Sequence, residues 1–399
     1  MQIATAYSTA ATGVGAITEA YQSINSALGG PPDLLIVSTT VTYNCQEIIH
    51  VLAEMAPSAR IHGSTSCLGV MTEQGFFSNQ GQAIGLFGIR DPDGAYGTGL
   101  AALDNDPENA AKQATREALS NAGRPGETPE AVWVSATPGY EECILQGIED
   151  LVGSGVPIIG GSAADNSVAG EWQIFNGSQV DNNAVIVSVL FPSNEVMFSF
   201  HSGYEPTAQC GKVTKADGRT IIEIDNQPAI QVYNQWTGGI LDETLQKGDT
   251  NILALTTLYP LGRVAGTVQG TPYYQLSHPE KIINEQGIAL FTEIHEGEEL
   301  ILMQGTKESL IERAGKVAKT AYQTYELSAD QVAGALVIYC AGCMLTVQSE
   351  MDQVVSSLQK ALPNTPFLGT FTFGEQGCFI GGENRHGNLM ISVLAFGAK

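Results

Sequence analysis

The residues best suited to chemistry in this chain are two thiols and two acids. Cys340-Ala341-Gly342-Cys343 is its only Cys-x-x-Cys. It closes the apolar run Ala333 to Tyr339 and opens a helical pattern, so its thiols stand near a helix N-terminus, where the dipole lowers a thiol pKa. Such a pair suits a redox switch, or half of a soft metal site completed by Cys45, Cys143 or Cys378. The plainer alternative is a strand cysteine pointing into the core beside an unrelated thiol. That alternative is adopted here: reduced thiols, and no stoichiometric zinc or iron.

The acids are Asp165 and Glu375. Asp165 ends Gly160-Gly161-Ser162-Ala163-Ala164-Asp165, Glu375 follows Gly374, and a third loop reads Gly63-Ser64-Thr65-Ser66-Cys67. Two carboxylates could bind an ammonium, while loop amides with Ser64 or Thr65 bind a carboxylate, a division that suits a zwitterion. The competing reading is that glycine and hydroxyl residues make turns and that the acids are solvated. Histidines number six, without His-x-x-x-His or paired Cys-x-x-Cys modules, so structural zinc and covalent haem lack their ligand sets. Cys45 and Cys143 lie near expected helix starts and could serve a thiol enzyme. No ordered triad, phosphate loop or dinucleotide fingerprint accompanies them.

These loops recur because the pattern around them recurs. Pro32 to Ser38, Glu130 to Ser135 and Ala333 to Cys340 are apolar runs leading into cysteine-bearing loops, Thr39 to Cys45, Ala136 to Cys143 and Cys340 to Cys343. Helical patterns follow at Gln46 to Met55, Cys143 to Val152 and Gln348 to Leu362. Next comes a second apolar segment ending in a Gly-Ser/Thr loop, then a hairpin. A strand, a helix and a strand within about 30 residues imply a parallel pair. The fold expected is α/β, with mixed sheets built from three β-α-β-α-β-β repeats at about 1–90, 95–191 and 299–397. A middle region of different character is inserted, with a hairpin at Asp217-Gly218 and a helix from Pro228. Ligands in such sheets gather beyond the carboxyl ends of strands, where these loops lie.

Composition narrows the function. With 399 residues and 43% hydrophobic content the chain can bury large cores. Its 18 Lys+Arg against 42 Asp+Glu give a charge of −24, which repels nucleic acid and anionic lipid. The start lacks a basic leader and no apolar stretch spans a bilayer, so no membrane insertion and a cytoplasmic location are expected.

Separated motifs then resemble one family. Gly203-Tyr204, Lys212 to Gly218, Glu223 to Ala229 and Val232-Tyr233 resemble the junction of FIST N and FIST C domains, and Tyr339 to Gly342, Gly369 to Glu375 and His386-Gly387-Asn388 resemble the FIST C end. Cys343 replaces a basic residue usual in similar proteins, and Gly387 splits a His-Asn pair. The resemblance implies a FIST N-like domain over 1–227, a FIST C-like domain over 228–399, and an intracellular signal-input role for a small ligand such as an amino acid. Output would pass to a partner protein such as a kinase or chemoreceptor. It also implies an alternative, a non-covalent haem held by one His or Cys for nitric oxide sensing; a thiol-dependent enzyme stands third. The candidate ligand-binding set is Gly63, Ser64, Thr65, Cys67, Gly161, Ser162, Asp165, Cys340, Gly342, Gly374, Glu375 and His386, with no catalytic residue assigned.

Overall fold

A computed structural model describes residues 1–399 apart from Lys247, Gln269 and Lys399. Among the described residues the strands form three six-stranded sheets and one eight-stranded sheet. Each six-stranded sheet is centred on a parallel pair: Leu34–Thr39 with Arg60–Thr65, Ala131–Ala136 with Ile158–Ser162, and Val332–Cys340 with Phe367–Thr372. A parallel pair needs a crossover. Helices Cys45–Met55 and Glu141–Val152 supply two of these, and Ala341–Thr346 followed by Met351–Ala361 supplies the third.

Strand alternation sorts the side chains between two faces. Leu35 and Val37 pack beneath helices Gly13–Leu28 and Cys45–Met55, while Leu34 and Ile36 point the other way. There they meet Trp133 and Ile159 of the second sheet and Leu336, Ile338 and Phe396 of the third in one shared core. Helices therefore cover the outside and the three sheets face one another inside. Burial on both faces is why these strands read as unbroken apolar runs.

Two features depart from the expected unit. The hairpin after each Gly-Ser/Thr loop does not stay in its own sheet. Val70–Thr72 with Gly75–Phe77 pairs onto Phe367–Thr372, Ile174–Phe175 with Val180–Asp181 onto Arg60–Thr65, and Gly374–Cys378 with Asn384–Gly387 onto Ile158–Ser162. Each sheet so covers an edge of its neighbour that would otherwise present unpaired amides. Gly63 makes one exchange possible, since a Cβ there would lie 2.1 Å from the Phe175 ring.

The second departure concerns the third sheet. Its outer strand is Val196–Ser202, antiparallel to Met390–Gly397, just as Gln2–Ser8 pairs with Ile84–Arg90 and Ala95–Ala102 with Ala184–Phe191. Glu299–Gln304, expected to open the third unit, instead pairs with Glu205–Asp217 and Leu261–Val268 in the eight-stranded sheet. Both segments are short apolar strands, and only long-range pairing distinguishes them. The chain from 205 to 304 is thus an inserted sheet between the outer strand of the third sheet and helix Lys307–Gln323.

Candidate functional site

The three Gly-Ser/Thr segments, expected as loops, are the closing residues of the strands Arg60–Thr65, Ile158–Ser162 and Phe367–Thr372, and the ends of these strands meet. Cys67 N donates to Phe371 O at 3.0 Å, Ala164 N to Thr65 O at 2.9 Å, and Phe373 N to Ser162 O at 3.1 Å, a cycle of backbone bonds from each sheet to the next. Strand Gly374–Cys378 leaves this ring, and its alternation separates two environments. Gln376 points to a charged cluster and Glu375 to a cluster of thiols.

On the charged side, Glu141 and Glu142 open helix Glu141–Val152, where the dipole favours acids. Glu141 is buried. Its carboxylate accepts from Ser162 Oγ at 2.7 Å, from Gly139 N at 3.1 Å and from Arg219 Nη2 at 2.8 Å. The same guanidinium nitrogen reaches Glu142 at 2.5 Å, and Glu293 N donates to Glu142 at 2.9 Å. Burial alone would raise the Glu141 carboxyl, but the charges of His386 and Arg219, with hydrogen bonds from Arg219 and Ser162, outweigh it and hold the group at about 2. His386 Nε2 lies 4.0 Å from Glu141 and 3.2 Å from Phe291 O, and its ring fills the space beside Gly374, where a Cβ would approach within 2.5 Å. Gln376 Nε2 meets Ser162 Oγ and His386 Nδ1, both at 3.2 Å, while its Oε1 is buried with no partner. Arg219 comes from the inserted sheet, so this cluster spans the junction of two bodies. Arg219 and Glu142 keep 23% and 24% of their side-chain surface, which leaves the cluster reachable from solvent.

On the thiol side, Glu375 is fully buried and accepts from Thr372 Oγ1 at 3.1 Å and Met390 N at 3.0 Å. Burial, aided by the neighbouring Cys340, pushes its pKa well above the carboxylate range. Burial thus disfavours its charged form and keeps it out of reach of solvent, against the expectation that it meets an ammonium as a carboxylate. Burial and the adjacent Cys343 likewise push the Cys340 thiol up, and Tyr204 OH stands 3.6 Å from Cys343 Sγ. Cys67 is held at about 12, by burial and then by the nearby Asp165 and Cys340. Desolvation here overrides any helix-terminus activation. Cys45 follows the same rule at about 12, and Cys143 is raised by burial and surrounding acids, so neither is an activated nucleophile.

Asp165 has another role. Its Oδ1 accepts from Ser167 N and Val168 N and its Oδ2 from Ala169 N, Gly170 N and Glu171 N, so its own loop takes up both oxygens. No lone pair is left for an ammonium. Thr65 Oγ1 exchanges bonds with Gln173, Ser64 pairs in the backbone ladder with Ile174, and Gly63 lies beneath Phe175: all three hold the exchanged hairpin. Gly161 packs against Thr372, and Gly342 against Leu389 and His278. Of the candidate set, the structure gathers Ser162, Gly374 and His386 in the charged cluster and Cys67, Cys340, Gly342 and Glu375 on the thiol side. Sequence reasoning missed Glu141, Glu142 and Arg219. The signal available was an acidic pair at the start of a helical pattern, separated by one residue from the loop glycine Gly139, and an arginine at a hairpin tip in a chain with few cations.

A haem needs an axial nitrogen or thiolate facing an apolar pocket. His62 is fully buried between Ser188 Oγ at 2.8 Å and Ser135 Oγ at 3.0 Å, His278 Nε2 meets Leu253 O at 3.2 Å, and His386 Nε2 is taken as above. His62 and His386 thus have both ring nitrogens engaged by protein and His278 has its Nε2 engaged, while burial holds the buried thiols protonated, so these groups are poor axial ligands for a haem. Among the described residues no group of three or more His, Cys, Asp or Glu stands where it could hold a metal ion, and no helix is long and apolar enough to cross a membrane.

Comparison with known proteins agrees with the motifs. The FIST N domain family matches residues 33–227 and the FIST C domain family residues 229–378. The uncharacterized protein MJ1623 of Methanocaldococcus jannaschii is 37% identical over 79 residues, which is 20% of this chain and 15% of that protein. Among solved structures, a cyanuric acid hydrolase from A. caulinodans aligns over 99% of both chains with a TM-score of 0.41 at 9% identity. T. maritima PurL complexed with ATP aligns over 76% of this chain and 71% of that one, with a TM-score of 0.22 at 10% identity. The chain belongs to the FIST family, whose domains are small-ligand-binding signal-transduction domains.

Proposed function

We propose that this chain is a cytoplasmic sensory module for a small zwitterion such as an amino acid, bound where the inserted sheet meets the second sheet. The observation that carries the reading is Arg219, which bridges Glu141 and Glu142 from the opposite body at 2.8 and 2.5 Å. A zwitterion can enter this pair by exchange. Its carboxylate takes the place of Glu142 on the guanidinium, and its ammonium takes the place of Arg219 on Glu142. A partly buried ion pair roughly breaks even against its desolvation, so swapping one internal pair for two ligand pairs is nearly balanced. Net affinity then comes from groups the free protein leaves unused, above all the unpartnered Gln376 Oε1 beside Ser162. Ligand entry at the junction changes how the inserted sheet is tethered, and that change is what a partner such as a kinase or chemoreceptor would read.

Calorimetric titration with each of the common amino acids tests this. At least one should bind, and Arg219→Gln and Glu142→Gln should each weaken it by about 1.5 to 3 kcal/mol, the range for a hydrogen bond to a charged group. Unchanged affinity in both variants, or no binding by any amino acid, removes the reading.

A further inference from the structure

Arg313 is a cation without a counterion. It sits on helix Lys307–Gln323, and its Nε is buried with no partner. Among the described residues no carboxylate lies within ion-pair distance of its guanidinium. In a chain carrying 42 Asp+Glu against 18 Lys+Arg, that isolation is unexpected. Its neighbour is also basic. His201 lies two residues before Gly203, whose Cβ position is 3.3 Å from Arg313 Cβ, and its Nδ1 faces Ser202 N at 2.8 Å and Ser202 O at 3.2 Å; with the shorter contact made, Nδ1 accepts and the ring proton stands on Nε2.

The position gives these donors meaning. The chain leaves the third sheet through Ser202 to Tyr204 and returns through Gly305 and Thr306, so both connections to the inserted sheet pass here. Gly203 is pressed against this helix, with a Cβ position 3.1 Å from Ser309 O and 3.3 Å from Arg313 Cβ, and Gly305 lies against the Tyr204 ring.

We propose that Arg313 and His201 form a site for a small oxyanion, a phosphate or a carboxylate, at the double crossover that joins the inserted sheet to the body. A guanidinium offers planar paired donors to such a group, and an anion relieves the cost of holding the cation partly buried and unpaired. The charge of Arg313 adds to burial in keeping His201 at about 4, so the imidazole is a neutral donor at pH 7 and its pKa rises when an anion neutralises its neighbour. This site is separate from the Arg219 cluster, which lies on the second sheet.

The test is nuclear magnetic resonance of protein with nitrogen-labelled histidine, titrated with inorganic phosphate and separately with acetate, at ionic strength held constant with chloride. The expected result is a saturable shift of the His201 ring signals at millimolar phosphate and a rise of the His201 pKa by about one unit. Arg313→Gln should weaken binding at least tenfold, and Arg219→Gln should leave it unchanged. Saturation by acetate at equal concentration would assign the site to carboxylates, and saturation by phosphate alone would assign it to phosphoryl groups. As an arm that keeps the arginine in place, His201→Gln should weaken phosphate binding measured by calorimetry. No saturable shift at tens of millimolar of either anion, or the same shift in Arg313→Gln, overturns the proposal.

Discussion

Buried polar residues in this molecule divide by whether their partners are complete. Asp165, with five backbone amides on two oxygens, is complete, and it orders the loop that precedes the exchanged hairpin. Asp165→Ala leaves those donors without an acceptor and should cost about 2 to 3 kcal/mol, by the penalty for unsatisfied buried groups. Urea denaturation measures the cost, and faster hydrogen exchange at 167–171 would locate it. The histidines give a pH prediction. Burial holds His62 at about 3 and His278 at about 4, both below the ordinary value of 6.5. The folded state therefore refuses protons that the unfolded state accepts, so their stabilisation is complete above pH 6.5 and declines as pH falls toward 4. Each imidazole contributes a slope of about 1.4 kcal/mol per pH unit in that window. Urea midpoints between pH 7 and 4.5 should show it, and His62→Asn should flatten the curve by one such contribution. Glu375 acts in the opposite sense. Its raised pKa means that its contribution is present below the ordinary carboxylate value and is lost as pH rises through the folded value.

Among elements, the exchanged hairpins do most to tie the three sheets together. Gly63→Ala drives a methyl into the Phe175 ring and should destabilise by at least the 1 to 3 kcal/mol typical of overpacking, on the order of the whole contact between hairpin and sheet. Phe175→Ala in the same chain should recover part of that loss, because the two sites share one space. A double-mutant cycle by urea denaturation measures the coupling, and strict additivity would show that the contact does not hold the hairpin. Individual elements were legible in the sequence. Asp106 caps its helix through Asn109 N at 3.0 Å, Gly29 ends another with φ of 62°, and Gly218 turns its hairpin with φ of 55°. Partner choice was not legible, since Val196–Ser202 and Glu299–Gln304 have similar apolar patterns and differ only in which distant strand they meet. The candidate site divided in the same way. Ser162, Gly374 and His386 were visible as motif residues, but Arg219 joins Glu141 from 78 residues away, a proximity created by the inserted sheet.

For the whole molecule, the charge of −24 predicts that duplex DNA at physiological salt gives no detectable shift in fluorescence anisotropy. Micromolar, salt-sensitive binding would contradict that. The fold places one shared core inside three sheets and joins an inserted sheet to them through two crossovers, through Leu276 and Met303 packed in the core of the third sheet, and through the ion pairs of Arg219 to the second sheet. A ligand at that junction acts on the relation between two bodies, which gives a sensory protein something to transmit. A crystal structure of the protein with its tightest-binding amino acid would show where the ligand sits. Ligand density is expected between Arg219 and Glu142, with the carboxylate on the guanidinium and the ammonium on Glu142 beside Gln376. Density for that ligand on the thiol side at Glu375, or anywhere away from the junction with Arg219 still bridging Glu141 and Glu142, would contradict it.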